Sequence, residues 1–324
     1  MEILVLHPGA LGDIILSLPA LAALRKRFPT SRITVAGNTD FLPFSAWGHA
    51  DRVLSLSALP LHSLYGGDEL PDKEAAWWNS FDLLISWTGS GNAEFESRLA
   101  ALHKTARVAS WRPQHGELKH VSRLFMDSLQ PWVPPQERIQ GPRIFVPADA
   151  KSEARAWLLQ NGGLVAKPLL ALHPGASGEA KRWPLGRFRS VAAMLEPSHG
   201  LLIIEGPAEP GLAAELARDL PPGKCVIAAS LPLGLLAAVL SFCGGYLGND
   251  SGISHLAAAL GLRSVVIFGP TTPEQWAPSG PSVVVLRDAS GCPACRLGQR
   301  DGHRCLESIS VDRAWNSLTG RQCI

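Results

Sequence analysis

The chain has 324 residues, of which 46% are hydrophobic and 18% charged, with a formal net charge of +2. That length accommodates two domains with full cores, and the near balance of charge gives no argument for nucleic acid as a partner. No apolar run reaches the roughly 20 residues of a membrane span. The apolar start up to Leu24 carries Asp13 inside it, ends on Arg25, Lys26 and Arg27 and lacks a positive leader, so the expectation is a cytoplasmic chain without a signal peptide.

Residues 2–7 read as a buried parallel strand, and 11–28 as a helix with Leu11, Ile14, Ile15, Leu18, Leu21, Ala22 and Leu24 on its apolar positions. Pro19 lies inside that helix and predicts a kink or a late start. Residues 32–36 and 83–87 read as further strands, and strands alternating with helical stretches predict a parallel, doubly wound α/β sheet. Over 98–123 the cations Arg98, Lys104, Arg107, Arg112, Lys119 and Arg123 face Glu117 alone. Two readings of that stretch stand side by side: a solvated face, or a surface for an anionic acceptor or for membrane phosphates.

Five prolines over 131–147 give linker composition, so the domains are placed at 1–147 and 148–324. The second domain opens with a helix near 150–160 and a strand from Leu169. Strands follow at 201–205, 245–247 and 264–268, with helices at 232–242 and 253–260. A closing helix is expected at 312–318, a segment that in many two-lobed folds packs back on the first domain.

The chemistry gathers at 169–184. An apolar strand stops at His173, Pro174 and Gly175, a small-residue loop follows, and Lys181 and Arg182 come next. Glycine admits close backbone approach, free N–H groups near a following helix attract anionic oxygens, and the two cations supply countercharge. This predicts a phosphate or diphosphate site with Ser177 as a hydroxyl donor and Trp183 as packing. The same words open the chain: Leu4 to Ala10 matches Leu170 to Ala176 except at Val5 against Ala171, 166 positions apart. The first copy lacks the basic pair and has Gly12 and Asp13 after its turn instead. Asp13 at a strand's carboxyl end can act as a general base, or simply cap the helix that follows. Asn249, Asp250, Ser251 and Gly252 open another helix, where Asp250 or Ser251 either caps or meets a second phosphate or a sugar hydroxyl. His255, one turn further, reads more as a structural histidine than as a ligand. Gly9 and Gly12 do not form the glycine fingerprint of dinucleotide enzymes.

The six cysteines read as thiols of a reducing compartment. Cys292, Cys295, His303 and Cys305 form half a zinc knuckle, although a loop staple or plain buried thiols fit the spacing better.

Four blocks together, 9–21, 173–184, 248–261 and 268–278, resemble glycosyltransferase family 9, the heptosyltransferases of the lipopolysaccharide inner core, and the wording AKRWP and NDSG is closer to heptosyltransferase II than to heptosyltransferase I. The resemblance implies a GT-B fold of two Rossmann-like doubly wound domains facing across a cleft, and metal-independent, inverting transfer from an ADP-heptose donor to an anionic glycolipid. It makes Asp13 the base, and Lys181, Asp250, Ser251 and Gly252 donor contacts. The acceptor then belongs to the N-terminal domain, with Gly9, Gly12, Arg98, Arg107, Arg112, Lys119 and Arg123 on that side, and the basic stretch permits peripheral contact with the cytoplasmic face of the inner membrane without requiring it. Where some members carry an acidic residue for the donor nucleoside, this chain has Val226, Ile227, Ala228 and Ala229. A nucleotide-sugar epimerase on the same plan, or a sugar-nucleotide or glycolipid binding protein without chemistry, are the alternative readings.

Overall fold

The structure is a computed structural model that describes residues 1–66, 70–114, 117–135, 139–162, 168–288, 292 and 304–320. It divides into two compact units, Met1–Arg143 and Ile144–Ile324.

Unit 1 runs β1 (Glu2–Leu6), α1 (Leu11–Arg27), β2 (Arg32–Gly37), α2 (Pro43–Ala46), β3 (Arg52–Ser55), α3 (His62–Tyr65), α4 (Asp72–Trp78), β4 (Leu83–Ser86), α5 (Ala93–Leu102), β5 (Ala106–Val108) and α6 (Val121–Asp127). All five strands are parallel in the order β3-β2-β1-β4-β5. The central strands β1 and β4 are buried on both faces, which is why Ile3 to Leu6 and Leu83 to Ile85 read as unbroken apolar runs. Helix α1 starts at Leu11 and continues through Pro19 without a break, so of the kink or late start expected from the sequence the late start does not occur.

Unit 2 runs α7 (Ala148–Gln160), β6 (Leu169–His173), α8 (Leu185–Leu195), β7 (Gly200–Glu205), α9 (Leu212–Ala217), β8 (Cys225–Ala229), α10 (Leu233–Leu240), β9 (Cys243–Asn249), α11 (Gly252–Ala259), β10 (Arg263–Ile267), α12 (Pro273–Trp276), β11 (Val283–Leu286) and α13 (Val311–Thr319). Its six strands are parallel in the order β11-β10-β9-β6-β7-β8. Ile144 already belongs to this unit, its N–H bonded to Ala259 O at 2.9 Å. The closing helix α13 lies on α8, β9 and β10. Its Ala314 and Leu318 enter the unit 2 core beside Val265, Leu247 and Leu195, so its apolar stripe is buried inside its own unit.

Trp183 is fully buried against Phe188, with Nε1 donating to Ile309 O at 3.1 Å. It is packing, as its neighbours in sequence suggest. Trp183→Phe loses that bond and part of the ring volume, and a urea melt should read a loss of about 1–2 kcal/mol.

Each sheet reverses its strand order once, between β1 and β4 in unit 1 and between β6 and β9 in unit 2. Crossover helices leave in opposite directions from such a point and open a crevice at the carboxyl ends of the strands. The two copies of His-Pro-Gly-Ala sit at these two crevices.

Candidate active site

In unit 1 the crevice is walled by the residues that follow β1 and β4. His7 is wholly buried, with its ring 5.1 Å from Trp87 in an edge contact, 5.2 Å from Phe125 and 6.4 Å from Trp111. Its Nδ1 accepts the Gly9 N–H at 3.1 Å, which places the ring proton on Nε2, a buried atom without a hydrogen-bond partner. Burial pushes the His7 pKa down to about 3, so the ring is neutral.

Asp13 is the third residue of α1, and its Oδ2 accepts the Ala10 N–H at 2.9 Å. It therefore fastens the start of the helix from its third position, Ala10 rather than Asp13 being the N-cap, while leaving carboxylate lone pairs unused. Burial raises its pKa above the ordinary carboxylate range, and the Ala10 hydrogen bond and the charge of Arg112 pull it part of the way back. The Arg112 guanidinium in turn lies 4.8 Å from the centre of the Trp111 ring, which stacks on Phe125. Gly9 is required by close approach: a Cβ there would stand 2.4 Å from Asp13 Cβ and 2.7 Å from His7 Cε1. Gly12 is the second residue of α1. A partly desolvated carboxylate at a helix start, with one cation at hand, is the electrostatic setting of a general base that works near neutral pH.

The other cations expected on an acceptor side are spread over the unit. Arg98 bonds Ser63 O at 2.9 Å and Glu94 at 3.2 Å, and Lys119 lies 3.6 Å from Glu117 and 3.3 Å from Asp127. Arg107 is exposed on β5 and Arg123 is half-buried on α6. Arg98 and Lys119 are thus answered by neighbouring acids, and Arg112 is the cation whose charge acts on Asp13.

In unit 2 the crevice lies between the ends of β6 and β9. Asn249, wholly buried at the tip of β9, accepts the Trp183 N–H at 2.9 Å and donates to Pro174 O at 2.8 Å and Gly175 O at 3.3 Å. One amide therefore ties both ends of the 174–183 loop to the neighbouring strand. That loop delivers Lys181, whose Nζ stands 2.8 Å from Asp250 Oδ2, and the Thr271 hydroxyl donates to the same oxygen. Arg182 points elsewhere, to Glu209 at 3.6 Å and Ala176 O at 3.4 Å. The two cations expected to clamp one diphosphate thus have different partners. Lys181 meets the start of α11, and Arg182 braces the loop against buried Glu209. Ser177 is exposed on that loop.

Neither Asp250 nor Ser251 caps α11 with its side chain, although Ser251 occupies the capping position. The Asp250 carboxylate is taken by Lys181 and Thr271, and the Ser251 hydroxyl lies 3.2 Å from His173 Nδ1. The N–H groups of the first turn, from Gly252 on, keep the partial positive charge that draws anions. His255 is buried one turn in. Of the candidate zinc residues, Cys295 and His303 lie outside the described residues, and Cys292 and Cys305 are buried in the unit 2 core.

Sequence reasoning singled out Lys181, Asp250 and Asp13 and placed Asn249 at the helix start without a role, but passed over Thr271, Glu209, the buried histidines His7 and His173 and the aromatic floor of Trp87, Trp111 and Phe125. The signal that exposes the two histidines is the repeat itself: both copies put a histidine at the last position before the turn, where a switch-point strand ends.

The family model described as glycosyltransferase family 9 (heptosyltransferase) matches residues 97–302. A lipooligosaccharide heptosyltransferase 2 of Haemophilus ducreyi is 26% identical over 98% of both chains. A lipooligosaccharide heptosyltransferase 2 of Campylobacter jejuni is 36% identical over 48% of this chain and 50% of its own. Among solved structures, the ADP-heptose lipopolysaccharide heptosyltransferase II of Escherichia coli superposes with a TM-score of 0.78 at 18% identity, over 99% of this chain and 98% of that one. The Escherichia coli heptosyltransferase WaaC with ADP superposes with a TM-score of 0.68 at 19% identity, over 99% of this chain and all of that one. Two all-parallel Rossmann-like units and a family match over well over half the chain agree: the chain belongs to glycosyltransferase family 9, the heptosyltransferases, and is a glycosyltransferase of GT-B fold.

Proposed function

We propose that the chain moves a heptose from ADP-heptose to a hydroxyl of the lipopolysaccharide inner core, with inversion at the anomeric carbon. The observation that carries this reading is the start of α11, where Lys181 stands 2.8 Å from Asp250 beside uncapped first-turn N–H groups. A cation held next to a helix N-terminus is what a leaving diphosphate needs. The named relatives transfer heptose, and WaaC was solved with ADP and with ADP-2-deoxy-2-fluoro heptose.

In the reaction, Asp13 takes the proton of the acceptor hydroxyl as its oxygen attacks the anomeric carbon. The bond from that carbon to the diphosphate oxygen breaks, and its electron pair leaves on the diphosphate. Lys181 and the α11 N–H groups stabilise that charge, with Asp250 and Thr271 holding Lys181 in place, so the scheme runs without a metal ion. Arg112, with Arg107, Lys119 and Arg123 nearby in sequence, supplies the countercharge for an anionic glycolipid acceptor. No helix among the described residues is long and apolar enough to cross a membrane. The acceptor's lipid brings the enzyme to the cytoplasmic face of the inner membrane as a peripheral visitor.

Calorimetric titration with ADP, UDP, GDP and CDP, followed by transfer assays with ADP-heptose with and without a heptose-deficient core acceptor, tests this reading. Selective ADP binding and consumption of donor only with acceptor are expected. Preference for another base overturns the donor, and turnover without acceptor overturns the transferase assignment in favour of an epimerase or hydrolase. The pH profile carries a separate expectation. The base works only when ionised, so kcat falls as pH drops through the Asp13 pKa. Burial raises that pKa, so the acidic limb lies above the ~3.9 of an ordinary aspartate.

A further inference from the structure

Beneath the start of α11 four side chains from β6, β9 and α11 form a buried polar chain. Ser254 Oγ lies within hydrogen-bond distance of Asn249 O and 2.9 Å from the Tyr246 hydroxyl, which is 3.4 Å from His173 Nδ1, and Nδ1 is 3.2 Å from Ser251 Oγ. His173, Tyr246 and Ser254 are all nearly or wholly buried, and Gly248, paired with His173 across the strands, leaves room for them: a Cβ there would meet the Tyr246 hydroxyl at 2.1 Å.

The protons in this chain follow from counting donors. A carbonyl only accepts, so the single Ser254 proton goes to Asn249 O. Ser254 Oγ must then accept from Tyr246, which uses the single Tyr246 proton. The Tyr246 oxygen has nothing left to give His173, and a bare Nδ1 would face it lone pair to lone pair. A proton on Nδ1 makes both its contacts favourable, the shorter being to Ser251. The ring is neutral, its pKa pushed down by burial to about 4, so Nδ1 holds its one proton. Ser251 Oγ then accepts, and its own proton has a choice between the neutral Tyr246 oxygen beside it and any charged oxygen at the helix start. The charged acceptor makes the stronger bond.

We propose that His173 is a positioning residue: by donating from Nδ1 to Ser251 Oγ it turns the Ser251 hydroxyl into a donor aimed at a diphosphate oxygen at the start of α11. The inference rests on the donor reading given above and adds to it the group that sets the direction of the Ser251 proton. In unit 1 the equivalent histidine has the opposite tautomer, because His7 Nδ1 accepts from Gly9 N–H. The same motif word therefore does two different jobs in the two copies.

The test is calorimetric titration of ADP into the full-length protein and its variants. His173→Leu and Ser251→Ala should each weaken ADP about tenfold, and the double variant should be no weaker than either, because both remove one bond. His173→Asn, whose amide N–H replaces Nδ1–H, should recover affinity to within about threefold of wild type. Unchanged binding by Ser251→Ala, losses that multiply in the double variant, or His173→Asn as weak as His173→Leu overturns the proposal. A second measurement needs no variant that might unfold: ¹⁵N spectra of the histidine side chains should show His173 protonated at Nδ1 and bare at Nε2, and the reverse tautomer overturns it. Wild type that binds no nucleoside diphosphate sinks the donor reading and with it the role of Ser251, while the tautomer measurement still decides where the His173 proton lies.

Discussion

Asp13→Asn is expected to lower kcat by about 10²- to 10⁴-fold, the range that a positioned general base supplies, while ADP affinity stays at the wild-type value. The separation follows from placement. Asp13 belongs to unit 1 at the start of α1, whereas the proposed donor contacts belong to the 174–183 loop and the start of α11 in unit 2. Asparagine keeps an oxygen for the Ala10 N–H, so the helix start survives and the variant should fold. Linkage gives the direction of the stability change. A carboxyl whose folded-state pKa is raised contributes stability at low pH that is lost as pH rises through that pKa, so at neutral pH the ionised Asp13 is a cost to the fold. The Asn variant should therefore melt at or above the wild-type temperature near pH 7. A melt clearly below wild type, or a kcat within a few fold of it, would leave Asp13 with its capping role only.

Lys181→Ala is expected to lower kcat/KM by about 10²- to 10³-fold, the usual cost of removing one charged donor from a developing anion. ADP binding should fall with it, because the variant loses a cation and also leaves the Asp250 carboxylate, only 6% exposed, with Thr271 as its remaining partner beside an incoming diphosphate. The like charge then works against the ligand. Lys181→Ala/Asp250→Asn should recover part of the ADP affinity that the single variant lost, and a double variant weaker than the single one would contradict this account. Arg182→Ala serves as the contrast. Arg182 is held by Glu209 and Ala176 O rather than by the start of α11, so its loss should act through the 174–183 loop, lowering stability more than it lowers ADP affinity.

Much of this architecture is legible in the chain alone. Unbroken apolar runs at Ile3 to Leu6 and at Leu169 to Leu172 mark strands buried on both faces, and each ends on a histidine, a proline and a glycine, so the two sheets and their first turns are set by local pattern. Lys181, Asp250 and Asp13 are recognisable because charges beside small-residue turns have few structural reasons to be there. Edge strands such as Arg52–Ser55 and Cys225–Ala229 are harder to read, since half-exposed residues blur the period.

What sequence cannot supply is the partner of each polar group. Lys181 and Arg182 are adjacent and chemically alike, yet the extended turn that carries them sends one to Asp250 and the other to Glu209, residues 69 and 27 positions away. His7 and His173 stand in the same words, yet one accepts from its own turn and the other meets Ser251 and Tyr246, because the second strand lies beside β9, where the Tyr246 side chain reaches over Gly248, the residue paired with His173. The sequence by itself determined the two parallel sheets and the residues that bring charge, through local periodicity and spacing, and the family through the resemblance of its motif blocks. The tertiary structure alone decided which charges pair, which carboxyl is desolvated and which way the protons point, because those depend on atoms brought together from strands far apart in the chain.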